Sequence, residues 1–388
     1  MIVTFWISVF IIFYTYLGYG FVLFILVKIR QAIKGKRPVH NNLENLPSVT
    51  LIVAAYNEAN IIDEKISNTL ALTYPADKIE YIFITDGSTD STPDTVAKYP
   101  RIKLMHLPGR SGKINAVHRA MKEVTSEVTI FTDANTFLNK EALINITRHY
   151  EDERVGAVSG EKRVEITNVS DATAGEGFYW KYESALKRLD SQLYSVVGAA
   201  GELFSIRTSL YEPVPADTIL DDFMISLQIA ARHYRIIYEP DAFALETSSE
   251  NTFEELKRKV RIAAGGIQSI LRLRALLNPF KFPVLSFQYI SHRVLRWTIT
   301  PFCMILAFLL NIAILFSSPD YLYSFLFLGQ FFIYTAALIG WLFERKEIKI
   351  KAVFIPFYFC MMNYAVLAGM VRFASNKQSA AWDKARRK

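Results

Sequence analysis

Three acidic residues stand where a carboxylate can meet a ligand: Glu58 after VTLIVAAYN (Val49 to Asn57), Asp86 in ITDGSTDST and Asp133 in FTDAN. Asp86 and Asp133 directly follow apolar, β-branched runs, and small residues come next. In Asp133-Ala134-Asn135 two oxygen-bearing side chains at i and i+2 project to one side of an extended turn, and Ala134 leaves room for a ligand. Hard cations such as Mg2+ or Mn2+ favour oxygen ligands of this kind and often bridge to a diphosphate. Gly109-Arg110-Ser111-Gly112-Lys113 precedes that turn and offers backbone amides and positive charge to phosphate oxygens. It lacks the spacing of a P-loop. The plainer alternatives are solvated turns: Asp90 and Asp94 suit helix caps, and Arg110 and Lys113 also fit a solvated basic turn.

The elements that must position these groups follow from periodicity. Val49 to Ala54, Glu80 to Thr85, Ile102 to Leu107 and Val128 to Thr132 read as strands, with helices expected over Asn60 to Leu72 and Ala116 to Val124. Alternating strands and helices imply a mainly parallel sheet with right-handed crossovers. Ligands of such sheets sit beyond the carboxyl ends of the strands, which is where Glu58, Asp86 and Asp133 fall.

VTLIVAAYN, Glu58, ITDGSTDST, GRSGKINAV and FTDAN together resemble the membrane-bound family-two glycosyltransferases, which include cellulose, hyaluronan and poly-N-acetylglucosamine synthases. The likeness continues through Gly198-Ala-Ala-Gly201-Glu-Leu-Phe-Ser-Ile-Arg207 and Ile-Leu-Asp221-Asp222-Phe into the terminal apolar segments. It implies an α/β GT-A (nucleotide-diphospho-sugar transferase) domain with a mainly parallel sheet, plus N- and C-terminal transmembrane helices. Position by position, it puts Ala55, Tyr56 and Glu58 near the nucleotide base and ribose and Asp86 near a uracil. Arg110, Lys113 and Asp133 would face the sugar diphosphate, with Asp133 and Asn135 on Mg2+ or Mn2+. The family's metal motif usually ends in Asp, so Asn135 removes one formal charge. Asp221 and Asp222 match the family's acidic pair, whose second member is the expected base; a positioned carboxylate can take the proton of an acceptor hydroxyl, and direct displacement would invert the anomeric centre. The same two acids also fit the start of a helix.

On the acceptor side the resemblance covers Gly198 and Gly201, where missing side chains let a sugar approach the backbone. Trp180, in a ring-rich stretch, fits either a sugar contact or helix packing. The Gln-x-x-Arg-Trp motif of processive synthases is matched by Arg258-Lys-Val-Arg261-Ile262, which lacks the tryptophan that stacks on the acceptor in the family. Arg258 or Arg261 would still reach diphosphate, or both lie on a basic helix surface.

The chain has 388 residues, 51% hydrophobic and 21% charged, which excludes a disordered or collagen-like class. Residues 1–27, 298–319, 321–343 and 352–371 carry no charge, and each is long enough to cross a bilayer as a helix. Both cysteines, Cys303 and Cys360, lie in these stretches, which excludes a disulfide framework and a Cys-based zinc site. The net charge of +7 is gathered after the first segment and at the chain end, a positive-inside pattern that argues against nucleic acid as a partner. The reading is therefore a multi-pass protein of a bacterial-type plasma membrane with its catalytic domain cytoplasmic.

It divides into a signal-anchor (1–28), a basic linker (29–47), the GT-A domain (48–274), an interfacial helix region (275–297), transmembrane segments (298–373) and a basic tail (374–388). Phe280 to Trp297, with His292, Arg293 and Arg296, reads as a helix lying against the cytoplasmic leaflet. A simple last span would export the basic tail, so Pro356 and Asn363 point to a kinked or re-entrant hairpin. Expected partners are a nucleotide-sugar donor, a glycan or lipid-linked acceptor, the bilayer, and an accessory or export subunit. The alternatives are single-sugar transfer to a polyprenyl-phosphate lipid and, further off, a noncatalytic nucleotide-sugar sensor. A transporter is disfavoured because no apolar segment carries a charge for coupling.

Overall fold

The computed structural model describes residues 1–35, 45–165, 172–247, 251–317, 319–346, 348 and 350–375; much of the expected linker and almost all of the basic tail lie outside these residues. Helix α1 (Ile2–Lys34) leads in, with a π-helical stretch at Tyr14–Gly18. Strand β1 (Val49–Ala55), helix α2 (Ile62–Leu70), β2 (Ile79–Asp86), α3 (Thr92–Val96), β3 (Ile102–Leu107), α4 (Lys113–Met121) and β4 (Val128–Asp133) then alternate. The chain continues through β5 (Thr136–Leu138), α5 (Ala142–Thr147), β6 (Val155–Glu165), α6 (Ala172–Leu193), β7 (Leu203–Arg207), α7 (Asp221–Ala231), β8 (Arg235–Thr247) and α8 (Thr252–Arg272).

All eight strands form one sheet in the order β3-β2-β1-β4-β7-β6-β8-β5. The first four are parallel, as the alternation implies, while β7 runs antiparallel between β4 and β6. β6 and β8 are parallel, and short β5 closes the edge antiparallel to β8. Every residue of β1 is buried, which is why the run is apolar throughout rather than alternating. Ile52, Ala54, Ile82 and Ile84 face Ile114 and Val117 of α4 and Ile225 of α7 on one side. Leu51, Val53 and Phe83 face Ile62 and Ile66 of α2 and Ile146 of α5 on the other. Phe83 and Ile66 are fully buried; side chains of this size contribute roughly 1.5–3 kcal/mol each by leaving water.

Helix α9 runs Pro283–Tyr289 and continues through a π-helical stretch, Ile290–Val294, to Leu295–Trp297. Its cations are paired within the protein. His292 is fully buried between Asp190 (2.6 Å) and Glu183 (3.2 Å) of α6, and Arg293 and Arg296 reach Glu183 at 2.7 and 2.9 Å. Helical spacing turns this polar stripe onto α6, where carboxylates wait, and the Tyr19 hydroxyl of α1 also donates to Asp190.

Helices α10 (Ile299–Ser317), α11 (Tyr321–Arg345) and α12 (Lys351–Ala374) end the described chain. With α1, they are the four helices in the described chain long and apolar enough to cross a membrane. The expected hairpin in the last segment is not formed. α12 is one continuous helix with Pro356 inside it. Asn363 accepts from the Tyr16 hydroxyl (2.6 Å) and donates to the Phe359 carbonyl (2.9 Å), so its polar group is satisfied without a chain reversal.

Candidate active site

Register brings the chemistry-bearing strand ends together. Ala55 pairs with Thr85 and Ala54 with Asp133, so the ends of β1, β2 and β4 lie side by side. After β1 the chain turns at Asn57, whose φ of 52° lies in the left-handed region that Asn tolerates. The Asn57 side-chain oxygen accepts from the Thr89 amide at 2.8 Å. Asp90 accepts from the Ala59 and Thr92 amides, both at 3.0 Å, so it caps the start of α3 while tying the two loops together. Glu58 is buried at the base of this turn, its amide donating to the Thr92 hydroxyl at 2.9 Å.

Ala55, Tyr56, Asp86, Arg110 and Lys113 line one cleft, floored by Ala54, Ile84 and Ala116. One Asp86 oxygen, Oδ2, accepts from the Ser111 and Gly112 amides at 2.7 and 2.6 Å, so this carboxylate shapes the glycine-rich loop. Its other oxygen, Oδ1, is buried with no hydrogen-bond partner and sits 3.9 Å from the Arg119 guanidinium. A buried acceptor left unpaired is costly, and a ligand N–H is the group that would relieve it. The Arg110 guanidinium lies over the Tyr56 ring at 4.0 Å and walls the cleft.

The charged centre lies beside this cleft. Lys113 Nζ is 2.7 Å from Asp133 and 3.7 Å from Asp221. Burial works against that ammonium, but Asp133, Asp221 and Asp222 outweigh it and hold its pKa above the ordinary lysine value. Burial also raises the Asp133 carboxyl, against the pull of Lys113. Burial, and then the neighbouring Asp221 carboxylate, push Asp222 up to about 7. Both acids lie in the first turn of α7. Asp133, Asp221 and Asp222 thus share one ammonium, an excess of negative charge suited to a further cation.

Asn135, half-buried two residues beyond Asp133, adds a neutral oxygen donor. Among the described residues no three His, Cys, Asp or Glu side chains converge as a metal cage. The residues therefore fit an ion that takes only one or two protein oxygens and draws its other ligands from diphosphate and water, as Mg2+ characteristically does.

The acceptor-side residues divide. Gly201 stands against the base candidate: a Cβ built there would lie 3.2 Å from Asp222 Oδ2. Gly198 serves packing instead of an open approach for sugar, because a Cβ there would meet the Phe223 ring at 2.2 Å and its φ is 84°. Trp180 carries the Lys162 and Lys259 ammonium groups at 5.5 and 5.2 Å from its ring centre. Arg258 forms a two-pronged pair with Glu255, both contacts at 3.0 Å, and Arg261 is half-buried on the same helix. Trp180 and Arg258 belong to a charged layer on α6, α8 and β6 with Lys162, Lys259 and Glu255, and the Arg258 guanidinium acts on Glu202, next to Gly201.

The sequence pattern did not single out Glu202, Lys162 or Lys65. Glu202 follows Gly201 and pairs with buried Lys162 at 2.6 Å, and Lys162 also contacts Glu246. Burial would raise Glu202, yet the Lys162 ammonium overrides it and holds the carboxyl well below its usual range. The signal for Lys65 is positional: Ile62, Ile66 and Thr69 are the buried face of α2, and Lys65 falls on it.

These features define a GT-A glycosyltransferase fold with membrane-spanning character at both ends. Residues 50–214 match the model of Glycosyl transferase family 2, and the chain carries a domain of that family. Its relatives include the poly-beta-1,6-N-acetyl-D-glucosamine synthase of Staphylococcus aureus, 28% identical over 252 residues that make up 63% of this chain and 60% of the relative. The Staphylococcus epidermidis synthase of that name is 24% identical over 85% of this chain and 84% of its own length. The chain thus spans about 60% of the length of the S. aureus relatives it matches. A mannosyltransferase from Pyrobaculum calidifontis, solved with GDP-Man and Mn2+, shares the fold with a TM-score of 0.72 at 23% identity. That likeness covers 97% of this chain and 100% of the mannosyltransferase chain.

Proposed function

We propose that the chain is a metal-dependent, inverting glycosyltransferase that moves a sugar from a nucleotide donor, a UDP-sugar, to a growing polysaccharide. The observation that carries this reading is the cluster of Asp133, Asp221 and Asp222 around Lys113, set beside a cleft with an unpaired buried acceptor on Asp86. Relatives named as poly-beta-1,6-N-acetyl-D-glucosamine synthases support the polymer product.

Ala55, Tyr56, Glu58 and Asp86 hold the base and ribose, with Asp86 Oδ1 free to accept a base N–H. Arg110 and Lys113 face the diphosphate. A divalent ion on Asp133 and Asn135 would offset the charge that develops on the departing diphosphate. Asp222 takes the proton of the acceptor hydroxyl as its oxygen attacks the anomeric carbon, while Asp221 supports the high proton affinity that a base near neutrality needs. The positive-inside pattern supports placing the catalytic domain on the cytoplasmic side of a plasma membrane.

The test is to incubate the purified chain in lipid with a panel of UDP-sugars, GDP-mannose as a comparison donor, and Mn2+ or Mg2+. Release of nucleoside diphosphate and the size of the product are the readouts. Donor-dependent release, abolished in Asp222→Asn, together with a polymer, is the expected result. A singly glycosylated, organic-soluble lipid with no polymer would replace polymer synthesis with transfer to a lipid acceptor. Nucleotide binding without turnover across the panel would count against a self-sufficient enzyme.

A further inference from the structure

Lys65 is fully buried, yet among the described residues its ammonium has no carboxylate within ion-pair distance. Its two hydrogen bonds go to the Thr136 carbonyl at 2.6 Å and the Thr132 hydroxyl at 3.3 Å. Those residues bracket the Asp133-Ala134-Asn135 turn. The Thr132 hydroxyl lies 3.0 Å from that of Thr136 and donates to the Glu202 carbonyl at 2.9 Å, while the Thr136 hydroxyl donates to the Asp133 carbonyl at 3.0 Å. Lys65 therefore anchors a small polar lattice that ties the turn to the Gly201-Glu202 segment, and Gly201 lies against Asp222.

A buried ammonium is an expensive way to fill a helix–sheet interface, where Leu or Met would pack more favourably. What Lys65 supplies, and an apolar residue would not, is a donor reaching both ends of the turn at once. Second-layer hydrogen bonds of this kind fix the orientation of metal and ligand contacts.

We propose that Lys65 is a positioning residue of the donor site, holding the Asp133–Thr136 turn so that Asp133 and Asn135 present their oxygens together to a divalent cation and the sugar diphosphate. It touches neither substrate nor ion. The inference rests on the donor-site reading given above.

The test compares wild type with Lys65→Met, which keeps length and loses both hydrogen bonds. Equilibrium Mn2+ binding is measured by electron paramagnetic resonance in the presence of UDP, alongside donor KM, kcat and Tm. The expected result is Mn2+ affinity weakened roughly tenfold or more, donor KM raised in parallel, and kcat at saturating donor and metal within about threefold of wild type. A structural lysine would lower Tm or the folded yield and leave KM and Mn2+ affinity in place. Mn2+ affinity and KM within twofold of wild type overturn the proposal. If Lys65→Met does not accumulate, Lys65→Gln, which keeps one donor for the Thr136 carbonyl, is expected to fall between the two. Failure of both variants to fold would make Lys65 structural and also overturn it. Asp133→Ala is the control for the underlying reading: if it leaves Mn2+ and UDP binding intact, the donor-site assignment fails, whereas an effect of Asp133→Ala with none from Lys65→Met removes only the Lys65 inference.

Discussion

Replacing Asp222 with Asn should abolish transfer and stabilise the fold, and the two effects should share a pH dependence. Burial and the Asp221 carboxylate move Asp222 from 3.8 in the unfolded chain to about 7 in the folded one. A carboxyl raised on folding binds its proton more tightly in the native state, so stability falls as pH rises from 3.8 towards 7 and is level above that. Holding Asp222 ionised at pH 8 therefore costs on the order of 4 kcal/mol. Asn carries no such cost. Asp222→Asn should gain stability over wild type progressively between pH 4 and 7, by up to several degrees of Tm at pH 8, and gain almost nothing near pH 4. Loss of a positioned general base lowers the rate roughly 10²–10⁴-fold. In wild type, kcat/KM should rise through an apparent pKa near 7 as the base ionises, and the residual activity of the variant should lack that limb. The assays are nucleoside diphosphate release and thermal unfolding across pH 4 to 9. A stability gain independent of pH, or a variant that retains transfer, would refute the assignment.

Three further outcomes follow from packing and charge. Gly198→Ala would place a methyl 2.2 Å from the Phe223 ring at a φ of 84°, so folded yield or nucleoside diphosphate release should be largely lost; wild-type kcat in this variant would show that the turn is not constrained as described. Glu183→Ala removes the carboxylate that Arg293 and Arg296 share, leaving His292 its contact with Asp190, and should destabilise the fold by about 3–5 kcal/mol, read as a lower Tm, with kcat per folded molecule retained. A cysteine at Ser375, in a chain lacking Cys303 and Cys360, should be labelled from the catalytic-domain side of sealed vesicles; labelling from the opposite face would show that α12 crosses the bilayer.

Strands β1, β2 and β4 were legible because each carries an apolar run that the fold buries, and in β2 and β4 that run closes on an acid, so strand end and site coincided at Asp86 and Asp133. The Asp221-Asp222 pair was legible as a helix start, and folding adds the burial that, with the Asp221 carboxylate, raises Asp222 into the range of a base. What stayed hidden depends on distant partners. Nothing near Lys162 in sequence announces Glu202 or Glu246, and Lys65 resembles any helix lysine until its face of α2 is known to be buried. Trp180 shows the converse: a ring suited by type to a sugar is flanked by two ammonium groups, which no local pattern reveals.

The membrane end was the least legible, because hydropathy measures whether a helix can cross and not what it rests on. α12 passes that measure, yet both of its halves touch one catalytic-domain helix. Leu256 of α8 packs with Phe354, Phe357, Tyr358 and Met361, and a Cβ at Gly369 would lie 2.6 Å from Cβ of Ala263. α8 belongs to the sheet domain through Gly265, which is tight against Ile219 and Leu220 just ahead of Asp221. The same 24-residue helix also packs on α11, where a Cβ at Gly340 would lie 2.7 Å from the Phe357 Cβ, so it joins the sheet domain to the apolar helices. Packing along the sheet domain gives the last apolar segment its place without the chain reversal that the sequence reading invoked. It also sets α12 between the membrane helix α1, through Tyr16 and Asn363, and the helix that backs the Asp221-Asp222 turn, so bilayer and candidate base are joined by direct packing.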